Sequence, residues 1–218
     1  MRYEIGEVIN INKLNQPLPA LVITEPVYEG VTLYSLAKGT DLPVQTYPNY
    51  RVYFLLSGKL NVFIRDRLTV KESREVCVSE GMIAPLEKAV GITVLEDSVA
   101  IEVILGKKLE TEYVHSMEPF VVHKLVNYQP NKAITETIFT SGFVQFDVSC
   151  LDMHTAIDHS KALGEMILTG LDGEGTVIYG GKESVLHVGE SFRIQNGTPY
   201  SIQAKEARFK VSNLIHIE

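Results

Sequence analysis

Long apolar runs are missing from this chain. None approaches the ~20 residues needed to span a bilayer as a helix, so no membrane partner is expected. Cysteine is scarce as well. Cys77 in REVCVSE and Cys150 in DVSCLDM fit neither a zinc spacing nor a disulfide framework, and are expected as reduced thiols. Charge of one sign accumulates nowhere: 20 Lys and Arg face 27 Asp and Glu, a net −7, with neither sign gathered into a long run. A surface that tracks phosphates is thereby excluded, and with it a nucleic-acid partner. The N-terminus, MRYEIGEVININK, lacks the basic-then-apolar order of a signal peptide, so a cytoplasmic protein is expected. No nucleophile elbow, phosphate loop or Rossmann glycine signature occurs.

What is present is strand text. From Ala20 the chain reads ALVITEP, GVTLYSLA, YRVYFLLSG, KLNVFIR, EVCVSEG and GITVLED, β-branched and aromatic runs with Gly, Pro, Asp or Asn near their ends. Such punctuation leaves no room for long helices. KKLETEYVHSMEPF is polar and charged, after which GFVQFDVSC, EMILTG, GTVIYG, SVLHVGE, SFRIQN, YSIQA and ARFKVSNLIHI resume the pattern. The expected organisation is an N-terminal barrel over 1–108 that includes an N-terminal arm, a linker over 109–120 and a C-terminal barrel over 121–218.

The halves superimpose as sequences. An offset of 115 lays Ser57, Gly58, Lys59, Leu60, Asn61 and Val62 on Asp172, Gly173, Glu174, Gly175, Thr176 and Val177. The same offset lays Val31, Leu33 and Ser35 on Phe146, Val148 and Cys150. A period this long means two copies of a domain rather than a solenoid. Many short strands without helical crossovers predict an all-β fold, a sandwich or jelly roll in each copy.

LTGLDGEGTVIYGG followed by LHVGESFRIQNGTPYSI resembles the cupin superfamily through Gly173, Gly175, Val177, Gly189, Glu190, Phe192, Ile194, Gly197 and Pro199. Leu56, Gly58, Val62, Gly81 and Pro85 carry a weaker match in the first half. The resemblance implies two tandem cupin-type double-stranded β-helix (jelly-roll) barrels, a bicupin. It does not imply one activity, because the superfamily includes oxygenases, decarboxylases, isomerases, epimerases and binders of sugars or effectors.

Metal-binding cupins present two His, a Glu and a third His inside the barrel. In the second half the Glu position falls on Met166, or on Glu165 with one extra residue. The His pair falls on His159 and Lys161, or on Asp158 and Ser160, and the third His position is Tyr200. Thioether, ammonium and phenol are poor substitutes for imidazole and carboxylate, so no metal and no cofactor are expected; His159 and Glu165 are the ligands if that expectation fails. In the first half the corresponding positions are Gln45, Tyr47 and Arg51, with the third near Val90, and no ligand set survives.

Two other readings follow. Arg51 with Gln45, Tyr47 and Tyr53 can form a pocket for an anion if alternation carries Arg51 and Tyr53 inward. The competing reading places Arg51 at the barrel mouth in a surface ion pair. His159, with Asp158, His154 and Tyr200, resembles the metal-free His/Tyr pairs of epimerising cupins, against which stands a loop histidine beside a pocket-wall tyrosine. Cys150, on the face shared with Val144, Phe146 and Val148, is expected to point inward and line the pocket or the core. The favoured function is binding of a small organic, in one version anionic, ligand without a catalytic metal, through Arg51, Gln45, Tyr47, Tyr53, His154, Cys150, Met166 and Tyr200. The alternative is an enzyme in the C-terminal barrel, a metal-independent isomerase or epimerase with His159 and Tyr200, or a metal enzyme with a relaxed ligand set. Both faces of YRVYFLLSG are apolar, so one face should pack on the other barrel or on a second subunit, which leaves a homodimer open.

Overall fold

A computed structural model describes residues 4–14 and 16–217. The first strand, β1 (Val8–Asn10), is followed by β2 (Val22–Tyr28), β3 (Val31–Leu36), β4 (Asp41–Thr46), β5 (Arg51–Asp66), β6 (Thr69–Cys77), β7 (Glu80–Ala84), β8 (Ala89–Ile104) and β9 (Phe120–Val121). The second half holds β10 (Ala133–Ser141), β11 (Val144–Leu151), β12 (Thr155–Lys161), β13 (Gly164–Tyr179), β14 (Lys182–His187), β15 (Glu190–Ile194), β16 (Pro199–Ala204) and β17 (Phe209–Ile217). The helices among the described residues are Ile11–Leu14 and the 3-10 turn Val122–Lys124. Neither is long and apolar enough to cross a membrane. The fold is all-β with antiparallel pairing between the named strands, as the strand punctuation predicts.

The chain divides into two compact units. One comprises Asn12–Leu109 and Val114–Val122. Its strands run β2-β3-β8-β5-β7-β9, with β4 on β8 and β6 on β5. The polar linker contributes directly here. Met117 donates its backbone N–H to the Ile83 carbonyl at 2.9 Å, and β9 pairs with β7. The Phe120 ring meets Phe54 edge-on at 6.2 Å. The outer apolar face of β5, expected to need a cover, therefore receives one from within its own unit.

The other unit comprises the arm through Ile11, Glu110–Tyr113 and the chain from His123. One sheet runs β1-β15-β13-β17-β11-β10; β12, β16 and β14 form the opposite wall with the far half of β13. The arm, expected with the first barrel, pairs with β15 instead, Val8 opposite Phe192, and Gly6 donates to the Arg193 carbonyl at 2.9 Å. Residues 1–3 and Asn15 of that arm lie outside the described residues. A short strand of Val8, Ile9 and Asn10 fits a sheet edge in either unit, so its sequence did not choose.

The 115-residue offset is a structural equivalence. Thr32 pairs with Glu102 on the ladder as Asp147 pairs with Asn213. Tyr53 pairs with Glu102 and Met82 as Leu168 pairs with Asn213 and Phe192. Arg51 accordingly occupies the place of Met166, and Tyr34 that of Ser149.

Candidate functional site in the C-terminal barrel

Strand alternation sorts β13 without ambiguity. Met166 and Leu168 point into the barrel with Ile194, Phe192, Val177 and Ile202, and Met166 is buried. Glu165, one residue away, faces the opposite side, where its carboxylate takes the Arg193 guanidinium at 2.9 Å. The disputed carboxylate position is therefore methionine, and Glu165 cannot join a ligand set inside the barrel.

β11 sorts in the opposite sense to expectation. Leu151 belongs to the interior core, so Ser149 and Asp147 share its face. Cys150 lies on the other face with Val148 and Phe146, where its thiol points at the Val126 carbonyl at 3.6 Å. Burial raises the Cys150 thiol pKa, against the opposing pull of Lys210. The match of Val31, Leu33 and Ser35 with Phe146, Val148 and Cys150 holds in parity, and it is the inward direction expected of Cys150 that is corrected. Both faces of β11 are buried, so apolar character did not mark the inner one.

Inside the barrel is a cavity of about 260 Å³. Its walls are Thr135, Asp147, Ser149 and Asn213 on one sheet and Ile157, Ser160, Tyr200 and Ile202 on the other, with Met166 and Ile215 between and Lys161 and Leu163 at the exposed rim. The polar wall is hydrogen-bonded within itself. Thr135 and Ser149 hydroxyls meet at 2.8 Å, and the Asn213 amide donates to Ser149 at 3.0 Å. The Gln145 amide donates to both Asp147 oxygens, at 3.0 and 2.9 Å. Two demands remain unmet. Asn213 Oδ1 is buried without a hydrogen-bond partner among the described residues. Asp147, 5% exposed, has no ion-pair partner among the described residues. Both are costly in a closed barrel.

Burial raises the Asp147 pKa above its ordinary 3.8, opposed by hydrogen bonds from Gln145 and Thr137. Tyr200, on the facing wall, is raised by burial and by the Asp147 charge, while a hydrogen bond with Ser160 opposes. The sign for Asp147 is that of a raised acid. Its contribution to stability is full below the ordinary carboxylate value and is lost as pH rises through the higher folded value. Asp147→Asn should accordingly lose less stability than the native protein between acid and neutral pH. Urea unfolding of both across that range checks this; parallel profiles would remove Asp147 as the source.

His159 does not reach this cavity. It sits at a β12 irregularity between Ile157 and Ser160 with φ 51°, its backbone N–H donating to Ser201 Oγ at 3.1 Å. Its side chain is exposed beside an outer groove that Asp158, Gly181 and one side of Tyr200 also line. Because Ser160 pairs with Tyr200, His159 and Tyr200 come from adjacent strands of one wall and do not flank the barrel cavity from opposite sides. His154 is exposed, with φ 59°. Of the C-terminal candidates, the structure brings Met166 and Tyr200 to one cavity and leaves out His159, His154, Cys150 and Glu165. A thioether, a phenol, a serine and a rim lysine do not fit a divalent metal, and no group of three His, Cys, Asp or Glu able to hold one occurs among the described residues.

In the first barrel Arg51 shares the inward face of β5 with Tyr53. Its guanidinium meets the buried Glu102 carboxylate at 2.7 Å and lies 3.7 Å over the Tyr47 ring. Glu102 also accepts from Tyr53 at 2.8 Å and Tyr34 at 3.2 Å. Burial, then the neighbouring Glu102 charge, pushes both phenols up. The anion that Arg51 was expected to recruit is thus supplied by the chain. The ion pair of the competing reading exists, but buried rather than on the surface. Gln45 is exposed and takes no part in this hydrogen-bonded group.

Glu102, Asp147 and Asn213 were missed. Glu102 stood in plain view as a lone polar residue within an apolar strand, VAIEVIL, and Asp147 and Asn213 as polar residues among apolar ones in FVQFDVS and VSNLIHI, where burial requires a partner or a function.

No family model matches the sequence, and no curated protein matches it either. Solved structures do resemble it. A cupin 2 conserved barrel domain protein from Leptotrichia buccalis is 20% identical over 99% of each chain, with a TM-score of 0.86. A variant of salicylate 1,2-dioxygenase from Pseudoaminobacter salicylatoxidans is 11% identical, covering 84% of this chain and 70% of that one at 0.62. The oxalate decarboxylase of Bacillus subtilis, which has Mn(II) centres, is 8% identical and covers 100% and 78% at 0.55. At these identities the likeness establishes the fold.

Proposed function

Since the chain is a protein of cupin fold with two barrels, we propose that its C-terminal barrel binds a small polar organic molecule without a catalytic metal. One observation carries the reading: an interior cavity of about 260 Å³ where, among the described residues, Asn213 Oδ1 lacks a hydrogen-bond partner and Asp147 lacks an ion-pair partner. That volume lies below the roughly 300–1,000 Å³ of drug-sized sites, so the ligand is a small metabolite. Met166, Ile202 and Ile215 give it an apolar side, Asp147, Asn213 and Ser149 a polar one. The Arg51, Tyr47 and Tyr53 group of the first barrel has its charge neutralised by Glu102, although Arg51 Nε is buried without a hydrogen-bond partner among the described residues, and in this reading the ligand is not recruited there. Nucleic acid and membrane are not partners in this reading, and a homodimer is the assembly to test by light scattering.

An enzymatic reading has one observation in its favour. Asp147 and Tyr200 reach the cavity from opposite sheets, the two-sided placement that a proton-transferring isomerase needs, with Asp147 in the role expected of His159.

One experiment addresses both. The protein is equilibrated across a dialysis membrane with a small-metabolite extract, and retained compounds are identified by mass spectrometry. Native protein should enrich at least one compound that Ile157→Trp, which fills the cavity from a half-buried wall position, does not. Equal enrichment by both would sink the cavity reading. A second isomer of the retained compound appearing only with native protein assigns catalysis; unchanged compound assigns binding.

A further inference from the structure

The two barrels solve one problem in different ways. In the first, a buried carboxylate, Glu102, sits on the ladder between Thr32 and Tyr53, and Arg51 supplies its cation at 2.7 Å. In the second, the equivalent rung runs Thr137, Asp147, Asn213, Leu168, so the carboxylate has moved one strand over to the Thr32 position. The cation has gone: Arg51 is replaced by Met166, and the tyrosines that crowd Glu102 by Ser149 and Leu168. The exchange removes a guanidinium and two phenols and leaves a cavity where they would lie. It also leaves a carboxylate without a counter-ion and, beside it, an amide oxygen without a donor. Every charged or titratable side chain lining the cavity is accounted for by Asp147, by Lys161 at the exposed rim and by Tyr200 on the facing wall.

Resting on the C-terminal cavity as the binding site, we infer that its ligand is an organic cation, an amine or guanidine whose protonated nitrogen takes the role in the second barrel that Arg51 plays in the first. Its N–H groups donate to Asp147 and to Asn213 Oδ1, and its hydrocarbon part lies on Met166, Ile202 and Ile215. A buried carboxylate favours such a partner for the reason that it tolerates Arg51 in the sister barrel: the charge is costly to desolvate alone and is repaid by a hydrogen-bonded opposite charge. An anionic ligand would meet repulsion at this wall.

The test uses three probes of one shape, cyclohexylamine, cyclohexanol and cyclohexanecarboxylate, titrated into full-length protein with ¹³C-methyl methionine. The chain has five methionines, and Met166→Leu identifies the cavity methyl. The amine should shift the Met166 methyl saturably at about one tenth of the concentration the alcohol needs, the order expected of one charge-assisted hydrogen bond, and the carboxylate should bind weakest. Asp147→Asn should abolish the preference for the amine. Met166→Arg, which installs the first barrel's cation, should abolish amine binding in a calorimetric titration, and this second variant keeps the test open if the first does not fold. Alcohol binding as tight as the amine, or a preference that survives both substitutions, would overturn the cation inference and leave the cavity reading standing. A Met166 methyl unmoved by all three probes would overturn both.

Discussion

Glu102→Ala is expected to lower the stability of the N-terminal unit by about 3–5 kcal/mol, the range for breaking a buried ion pair from one side. Three partners lose their acceptor at once. The Arg51 guanidinium stays pinned over Tyr47 with its counter-charge removed, and the hydroxyls of Tyr53 and Tyr34 are left facing the vacated position. Glu102 is 3% exposed, so water does not readily replace the carboxylate. Neutralising both charges while keeping an acceptor, as in Arg51→Met with Glu102→Gln, should recover more than half of the loss. The side-chain amide oxygen that the second substitution supplies still accepts from the tyrosines, and no lone charge remains. Urea unfolding of the three proteins measures this. A cost for Glu102→Ala under about 1 kcal/mol, as for exposed pairs, would show the cluster to be open to solvent.

Gly58→Ala and Gly173→Ala should each cost about 2–5 kcal/mol, in separate units. These glycines were matched by the 115-residue offset, and the structure gives both the same two constraints. Their φ values are +82° and +71°, where a Cβ costs about 1–2 kcal/mol. A Cβ would also fall far inside contact distance of a facing backbone carbonyl, Asp97 for Gly58 and Arg208 for Gly173, and an overpacked site adds about 1–3 kcal/mol. Neither carbonyl can swing aside as a side chain would, because Asp97 is part of β8 and Arg208 directly precedes β17. Gly39 and Gly180 are internal controls. They too have positive φ, but nothing lies within 4 Å of an added Cβ, so Ala there should cost only the backbone part. Equal losses at crowded and open positions would refute the close-approach account.

These two glycines show where the sequence was legible. A glycine after an apolar run and before a second one constrains the chain locally, through φ and steric approach, and such constraints survive in the text. The same holds for the strand punctuation and for the repeat. Each depends on residue type and on spacing over a few positions.

The partners were not legible. Arg51 and Glu102 are 51 positions apart, and Asp147 meets the level of Tyr200 only because two sheets close on each other. Nothing local in YRVYFLL names the carboxylate that will neutralise its arginine. Faces were the second casualty. β11 is buried on both sides, so alternation fixed that Ser149 and Cys150 point apart, and could not say which of them looks into the barrel. On β13 spacing left Met166 and Glu165 both open for one position, until the core took Met166 and Arg193 took Glu165.

What the sequence determined by itself, then, is the all-β double barrel and its internal repeat, because turn sterics and alternation act over a few residues. Which residues converge was decided by tertiary structure, because a buried charge is answered by whatever the closed sheets bring within hydrogen-bond reach. Arg51 answers Glu102 in one barrel, and in the other Asp147 and Asn213 stand over a cavity.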